Sequence, residues 1–308
     1  MSRSVVVLVS GGAAVTPYTT PSAAARRGQA AGNTMTALRE RLLAAGREVY
    51  TAPARIGVGE VREDTGWEGF GDVPEVLPAA LTINAVGEID AAGASLAAFL
   101  GHLEAERDVA AFDLVGHSMG GLFSRAAIRA RRGRAGGAPV RRLVTLGTPW
   151  TSSVLGDVVT GDLTLADAQG DPGTLAIMAE VAPYAAEYSE GAAAQVGRRY
   201  LAGPDGWNAR QAGALDGVDV TLIAGTYFDA ASEPELLWPH DALVPRGSAL
   251  ASRVPARVLP SAARAEFRDV HSIYFADRFG LPWERALTWD PEVLDFVAVS
   301  LDPLAPSR

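Results

Sequence analysis

Ser118 lies in Gly116-His117-Ser118-Met119-Gly120, between two stretches of opposite habit. Before it runs Phe112-Asp113-Leu114-Val115, whose length and bounding glycine predict a buried strand. After Gly121 a helix-forming run begins at Leu122 and reaches Arg129. A strand that becomes a helix over so few residues forces the serine into a strained backbone conformation. A Cβ two residues before or after it would collide with the neighbouring turn, hence the glycines. The hydroxyl is then held out above the sheet, over a helix N-terminus and its free N–H groups. The plainer alternative is a serine that caps a helix after a glycine turn. As a nucleophile the hydroxyl is weak at neutral pH and needs a general base within hydrogen-bonding reach. Only four histidines are available, at 102, 117, 240 and 271. His102 ends a predicted helix at the far end of the sheet. His117 adjoins Ser118, but adjacent side chains at such a turn point apart.

The strand, the turn and GHSMGG resemble the nucleophile elbow of the α/β-hydrolase fold, in its lipase and carboxylesterase branch. That resemblance covers most of the chain and thins between about Thr151 and Leu215. It implies an α/β fold with a mostly parallel sheet of about six strands flanked by helices. It also implies the chain order serine, acid, histidine, which makes His271 the base. For the acid the candidates are Asp229, Glu233, Glu235 and Asp241. Asp229 stands nearest the end of a predicted strand. His240-Asp241-Ala242-Leu243-Val244-Pro245 resembles the D-G-x-V segment that carries the acid in lipases, and Asp241 is chosen on that ground. The resemblance further implies an oxyanion hole built from the backbone N–H of Met119 and of a residue near Gly12, which follows the first strand. Trp150, in the family-like tail Gly147-Thr148-Pro149-Trp150, and Met178 are expected to touch substrate.

Composition narrows the field. With 308 residues, 48% hydrophobic and 20% charged, the chain can bury a large core. The net charge of −9, with all 27 cationic residues arginine, argues against nucleic acid or an anionic membrane as partner. There is no cysteine, so disulfides and thiol catalysis are excluded. No apolar run approaches a membrane span, and the N-terminal apolar run is too short for a signal peptide; a cytoplasmic protein is expected. No metal or cofactor is called for, and the acidic tract from Asp162 to Asp171 is too irregular for a calcium loop.

The supporting elements follow from periodicity. Val5 to Val9, Glu48 to Ala52, Arg142 to Leu146 and Val218 to Gly225 read as strands, with Ala256 to Leu259 as a last, shorter one. Met35 to Ala45, capped by Asn33 or Thr34, reads as a helix, and a second ends near Arg107. Asp290-Pro291 opens a C-terminal helix. Gly57 to Pro78, with Trp67 and Phe70, is a long loop that rims the pocket or makes a surface excursion. Residues 151–215 interrupt the alternation, with one helix at Leu175 to Ala182 stopped by Pro183; they are expected to form a cap or lid over a core made of residues 1–150 and 216–308. The expected activity is hydrolysis of a small-molecule or lipid ester. Acyl transfer or thioester hydrolysis with the same residues, and a non-catalytic binding module, stand as alternatives.

Overall fold

A computed structural model describes residues 3–22, 34–63, 73, 75–133, 136–187, 192–229 and 237–302. Trp67, Phe70, Asn33, Glu233 and Glu235 lie outside the described residues. The chain supplies eight described strands in order: β1 (Ser4–Val9), β2 (Val49–Thr51), β3 (Ala54–Arg55), β4 (Ile83–Asn84), β5 (Ala111–His117), β6 (Val140–Leu146), β7 (Asp219–Gly225) and β8 (Ala263–Phe267). Six of them form one sheet in the order β2-β1-β5-β6-β7-β8, every pair parallel. β3 and β4 pair separately.

The β-branched runs lack alternation because both faces of the sheet are covered. Along β1, Val5, Val7 and Val9 join the cluster that contains the Ile89–Arg107 and Met119–Arg131 helices, through Leu96, Phe99, Leu122 and Phe123. Val6 and Leu8 face the other way, onto the Thr36–Ala44 and Pro291–Ser300 helices through Leu38, Leu42, Val293 and Val297. A third cluster joins Val154, Ile177, Met178 and Val181 to Trp238, Ala242, Val270 and Ile273. The region between β6 and β7 is thereby packed on the loops that follow β7 and β8.

The strand order reverses between β1 and β5. Chains that leave neighbouring strands in opposite directions open a crevice at their carboxyl ends, and ligands of open parallel sheets bind there. Ser118 leaves β5 at that point, beside the Gly11-Gly12 turn that leaves β1.

Several local expectations need correction. Ala256 to Leu259 forms turns, and the last strand is Ala263–Phe267. Val258 and Leu259 are apolar because both are buried, Leu259 in the cluster that holds Val220 and Leu222 of β7; the true strand lies at the sheet edge and is largely exposed, so it carries no apolar run. Pro183 does not end its helix, which runs from Pro172 to Glu187. A proline forfeits one backbone bond, and here it falls near the end of the helix, where little more follows. The first helix begins at Thr36 with Met35 at its N-cap position and no side-chain cap. Among the described residues, no helix is long and apolar enough to cross a membrane. The C-terminal helix starts as expected, with Asp290 accepting from the Glu292 N–H at 2.7 Å.

Candidate active site

Ser118 has φ 55° and ψ −131°, a region that costs a non-glycine residue about 1–3 kcal/mol. The turn holds it there by its backbone. The Ser118 N–H donates to the Leu146 carbonyl at 2.9 Å, and the Ser118 carbonyl accepts the Thr148 hydroxyl at 2.8 Å. Gly120 is the residue that allows the approach, because a Cβ there would stand 2.1 Å from the Val9 carbonyl oxygen. On the other side, a Cβ on Gly11 would stand 2.5 Å from the Ser118 Cβ and 3.1 Å from its hydroxyl. Gly11 therefore belongs to the site. The doubled glycine after β1 carried the signal for it.

Asp241 is fully buried after β7. Its Oδ1 accepts the backbone N–H groups of Leu243 and Val244 at 2.9 and 2.7 Å. Its Oδ2 is left for His271, whose Nδ1 lies 2.7 Å away. A carboxylate oxygen only accepts, so Nδ1 of His271 carries the proton and Nε2 presents its lone pair. Nε2 is buried and has no hydrogen-bond partner among the described residues. The His271 backbone N–H also donates to the Asp241 carbonyl at 2.7 Å, so ring and backbone are tied to one residue. Gly147 packs beneath the pair with φ +54°, and a Cβ on it would reach within 2.8 Å of Asp241 Oδ2 and 2.9 Å of His271 Nδ1. Of the acid candidates among the described residues, Asp229 is exposed and Asp241 holds the imidazole.

His117 packs its ring against that of His271, with centroids 4.7 Å apart. Its Nε2–H donates to the His271 carbonyl at 2.8 Å. Burial, reinforced by the neighbouring His271, pushes its pKa down to about 3, so this imidazole is neutral. His240, beside Asp241, is also buried and neutral, its pKa pushed down by burial to about 4.

Ser118, His117, His271, Gly11, Gly12 and Met119 all line one cavity of about 660 Å³. Its remaining wall is mostly apolar and comes from distant segments, among them Ile56, Leu155, Val196, Leu243 and Phe275. Gly12 and Met119 thus line the same cavity as the serine. Trp150 and Met178 do not. Trp150 is fully buried beneath the site, where it stacks on the Arg125 guanidinium at 4.1 Å and donates from Nε1 to the Thr145 hydroxyl. Arg125, itself sandwiched by Trp207 at 4.7 Å, is the reason that an aromatic residue stands at 150. Met178 is 1% exposed and fills the third core cluster; its helix presents Glu180 and Val181 to the cavity instead. Among the described residues, no group of three or more His, Asp or Glu side chains is arranged to hold a metal ion.

Residues 96–164, which carry β5, the turn at Ser118 and β6, match the family model described as "PGAP1-like alpha/beta domain". No curated protein matches the sequence. Among solved structures, the mature form of the lipase BlEst2 of Bacillus licheniformis is similar at 14% identity and a TM-score of 0.53, over 97% of this chain and 92% of that one. Its propeptide form is similar at 14% identity and a TM-score of 0.53, over 99% of this chain and 52% of that one, so this chain spans about half its length. An alpha/beta hydrolase fold protein from Chitinophaga pinensis is similar at 12% identity and a TM-score of 0.48, over 99% and 91%.

Proposed function

We propose that this chain, whose fold is that of the α/β hydrolases, is a serine hydrolase that cleaves carboxylic esters through an acyl-enzyme, with Ser118, His271 and Asp241 as its catalytic residues. The reading rests on one observation above all. Asp241 fixes His271 by Nδ1, and the lone pair of Nε2 is left in the cavity that the strained serine lines.

The steps follow from that tautomer. His271 Nε2 takes the Ser118 proton as the hydroxyl oxygen attacks the ester carbonyl, and Asp241 stabilises the imidazolium. Negative charge on the former carbonyl oxygen is met by the N–H groups of Met119 and Gly12; one such donor is worth about 3–4 kcal/mol of transition-state stabilisation. His271 then gives its proton to the departing alcohol, and water, activated in turn by His271, releases the acid. Serine and histidine need not be bonded beforehand, since such contacts tighten when substrate binds.

Residues 151–215 act in this reading as a cap. Ser153, Leu155, Val181 and Val196 give the cavity one wall, and this segment shares its core with the acid loop and the helix after His271. An apolar wall accepts the acyl or alcohol part of an ester without requiring a charge.

A fluorophosphonate probe tests the assignment. It is expected to label the wild type and to leave Ser118→Ala unlabelled. Equal labelling of the two proteins removes Ser118 from the nucleophile's place. A series of p-nitrophenyl esters of rising chain length, with and without an alcohol acceptor, then separates hydrolysis from acyl transfer.

A further inference from the structure

The residue that precedes the acid does work that its neighbour depends on. Ala242 follows Asp241 with φ +99°, a conformation that an alanine adopts only under constraint. The two N–H groups that hold Asp241 Oδ1 come from the next residues along the same turn, Leu243 and Val244. If Ala242 relaxed, both donors would move and the carboxylate would lose its orientation toward His271.

Beside the backbone bond that closes the turn, from the Asp241 N–H to the Val244 carbonyl, Ala242 is held by a side chain. Its backbone N–H donates to Nδ1 of His240 at 3.1 Å. With Nδ1 accepting, the proton of this neutral imidazole resides on Nε2, which donates to the Thr174 hydroxyl at 3.0 Å. Thr174 is fully buried in the Pro172–Glu187 helix. The ring is clamped in that orientation by Phe228, stacked at 5.1 Å, and by Trp238 at 4.8 Å. The His240 backbone is fixed as well, exchanging N–H and carbonyl bonds with Phe228 at 2.9 and 3.0 Å. Ring contacts and backbone bonds together hold Nδ1 toward Ala242.

We infer that His240 is a positioning residue for the acid: through Nδ1 it locks the Ala242 turn whose amides aim Asp241 at His271, and through Nε2–H and Thr174 it joins that turn to the helix that forms part of the cavity wall. The inference rests on the proposed triad. It adds a role for a histidine that contacts neither Ser118 nor His271.

The test reads the Asp241–His271 bond directly. The His271 Nδ1 proton, bonded to a carboxylate at 2.7 Å, gives a far-downfield proton resonance. His240→Phe keeps a ring between Phe228 and Trp238 and removes the acceptor. It is expected to shift and broaden that resonance and to lower kcat on a p-nitrophenyl ester about tenfold with KM unchanged, the scale expected when a catalytic group is slightly misaligned. His240→Asn, whose amide oxygen replaces Nδ1, is expected to retain the resonance and most of kcat although its Tm falls. If the Phe variant does not fold, His240→Gln, which still reaches Thr174 but leaves Ala242 without an acceptor, carries the same expectation. A wild-type resonance and kcat in the variant lacking the acceptor overturns the inference. So does an Asn variant as impaired as the Phe or Gln variant. Because the resonance needs only Asp241 and His271, it is also read in Ser118→Ala protein. Failure of the nucleophile assignment is thereby distinguished from failure of this one.

Discussion

Two carboxylates flank His271, and they live under opposite conditions. Asp241 and Asp269 are equally buried, each with no exposed surface. Asp241 receives two backbone N–H groups and the imidazole N–H. Asp269, two residues before His271, receives no N–H donor at either oxygen; the Arg285 guanidinium stands 3.7 Å off, and the Asp290 carboxyl is both its hydrogen-bonding neighbour and a second negative charge. Burial first, and then Asp290, pushes the Asp269 pKa up to about 7. Equal depth therefore does not mean equal support: one acid is supplied with N–H donors and the other is not.

The largest effect is expected from removing the better-supplied charge. Asp241→Asn sets an amide N–H against the Nδ1–H of His271, which forces the other tautomer and protonates Nε2; kcat should fall by about 10⁴-fold with the fold intact. A variant within tenfold of wild type, measured on a short p-nitrophenyl ester, would break the contrast on the Asp241 side. Next comes Gly147→Ala, whose methyl group would lie within 2.9 Å of both members of the pair at φ +54°. About a hundredfold loss of kcat is expected, accompanied by a lower Tm, as the imidazole is pushed off its line.

Asp269 sharpens the comparison through pH. Its folded pKa is raised from the ordinary carboxylate value of 3.8 to about 7, so the native state holds a proton that the unfolded chain gives up. Its contribution to stability is complete below about pH 4, declines as pH rises toward 7 and is flat above that. Asp269→Asn, which cannot titrate, should be free of that decline. The difference in unfolding free energy between the two proteins, followed by denaturant titration from pH 4 to 8, would show no such trend if Asp269 were ionised throughout. The smallest effect belongs to charges that meet in water. Glu180 and Arg278 pair at 2.8 Å on partly exposed side chains, and Glu180→Gln should cost less than about 1 kcal/mol by thermal unfolding.

Much of this arrangement is legible in the residues themselves. A glycine-bounded serine between an apolar run and a helical one has few other structural meanings, and with four histidines the choice of base is narrow. Strands covered on both faces announce themselves, as β1, β5, β6 and β7 do. β8 does not, because an edge strand of composition ARAEF has one neighbour and little to bury. Trp150 and Met178 were misread for a related reason: an apolar side chain near a site looks the same in sequence whether it faces ligand or core. The partner that explains Trp150, Arg125, stands 25 positions away, and only the fold brings them together. His240 was visible as a neighbour of the acid. Its contribution depends on a positive φ at Ala242 and on a threonine 66 residues earlier, and neither leaves a trace in local pattern.

The second imidazole beside the base has one more consequence. With its pKa near 3, His117 stays uncharged at any pH at which the protein would ordinarily work, and its single N–H is committed to a carbonyl. In the proposed reaction, a proton arriving on His271 would therefore meet no charge on His117 to repel it. Proton traffic would be confined to a single imidazole.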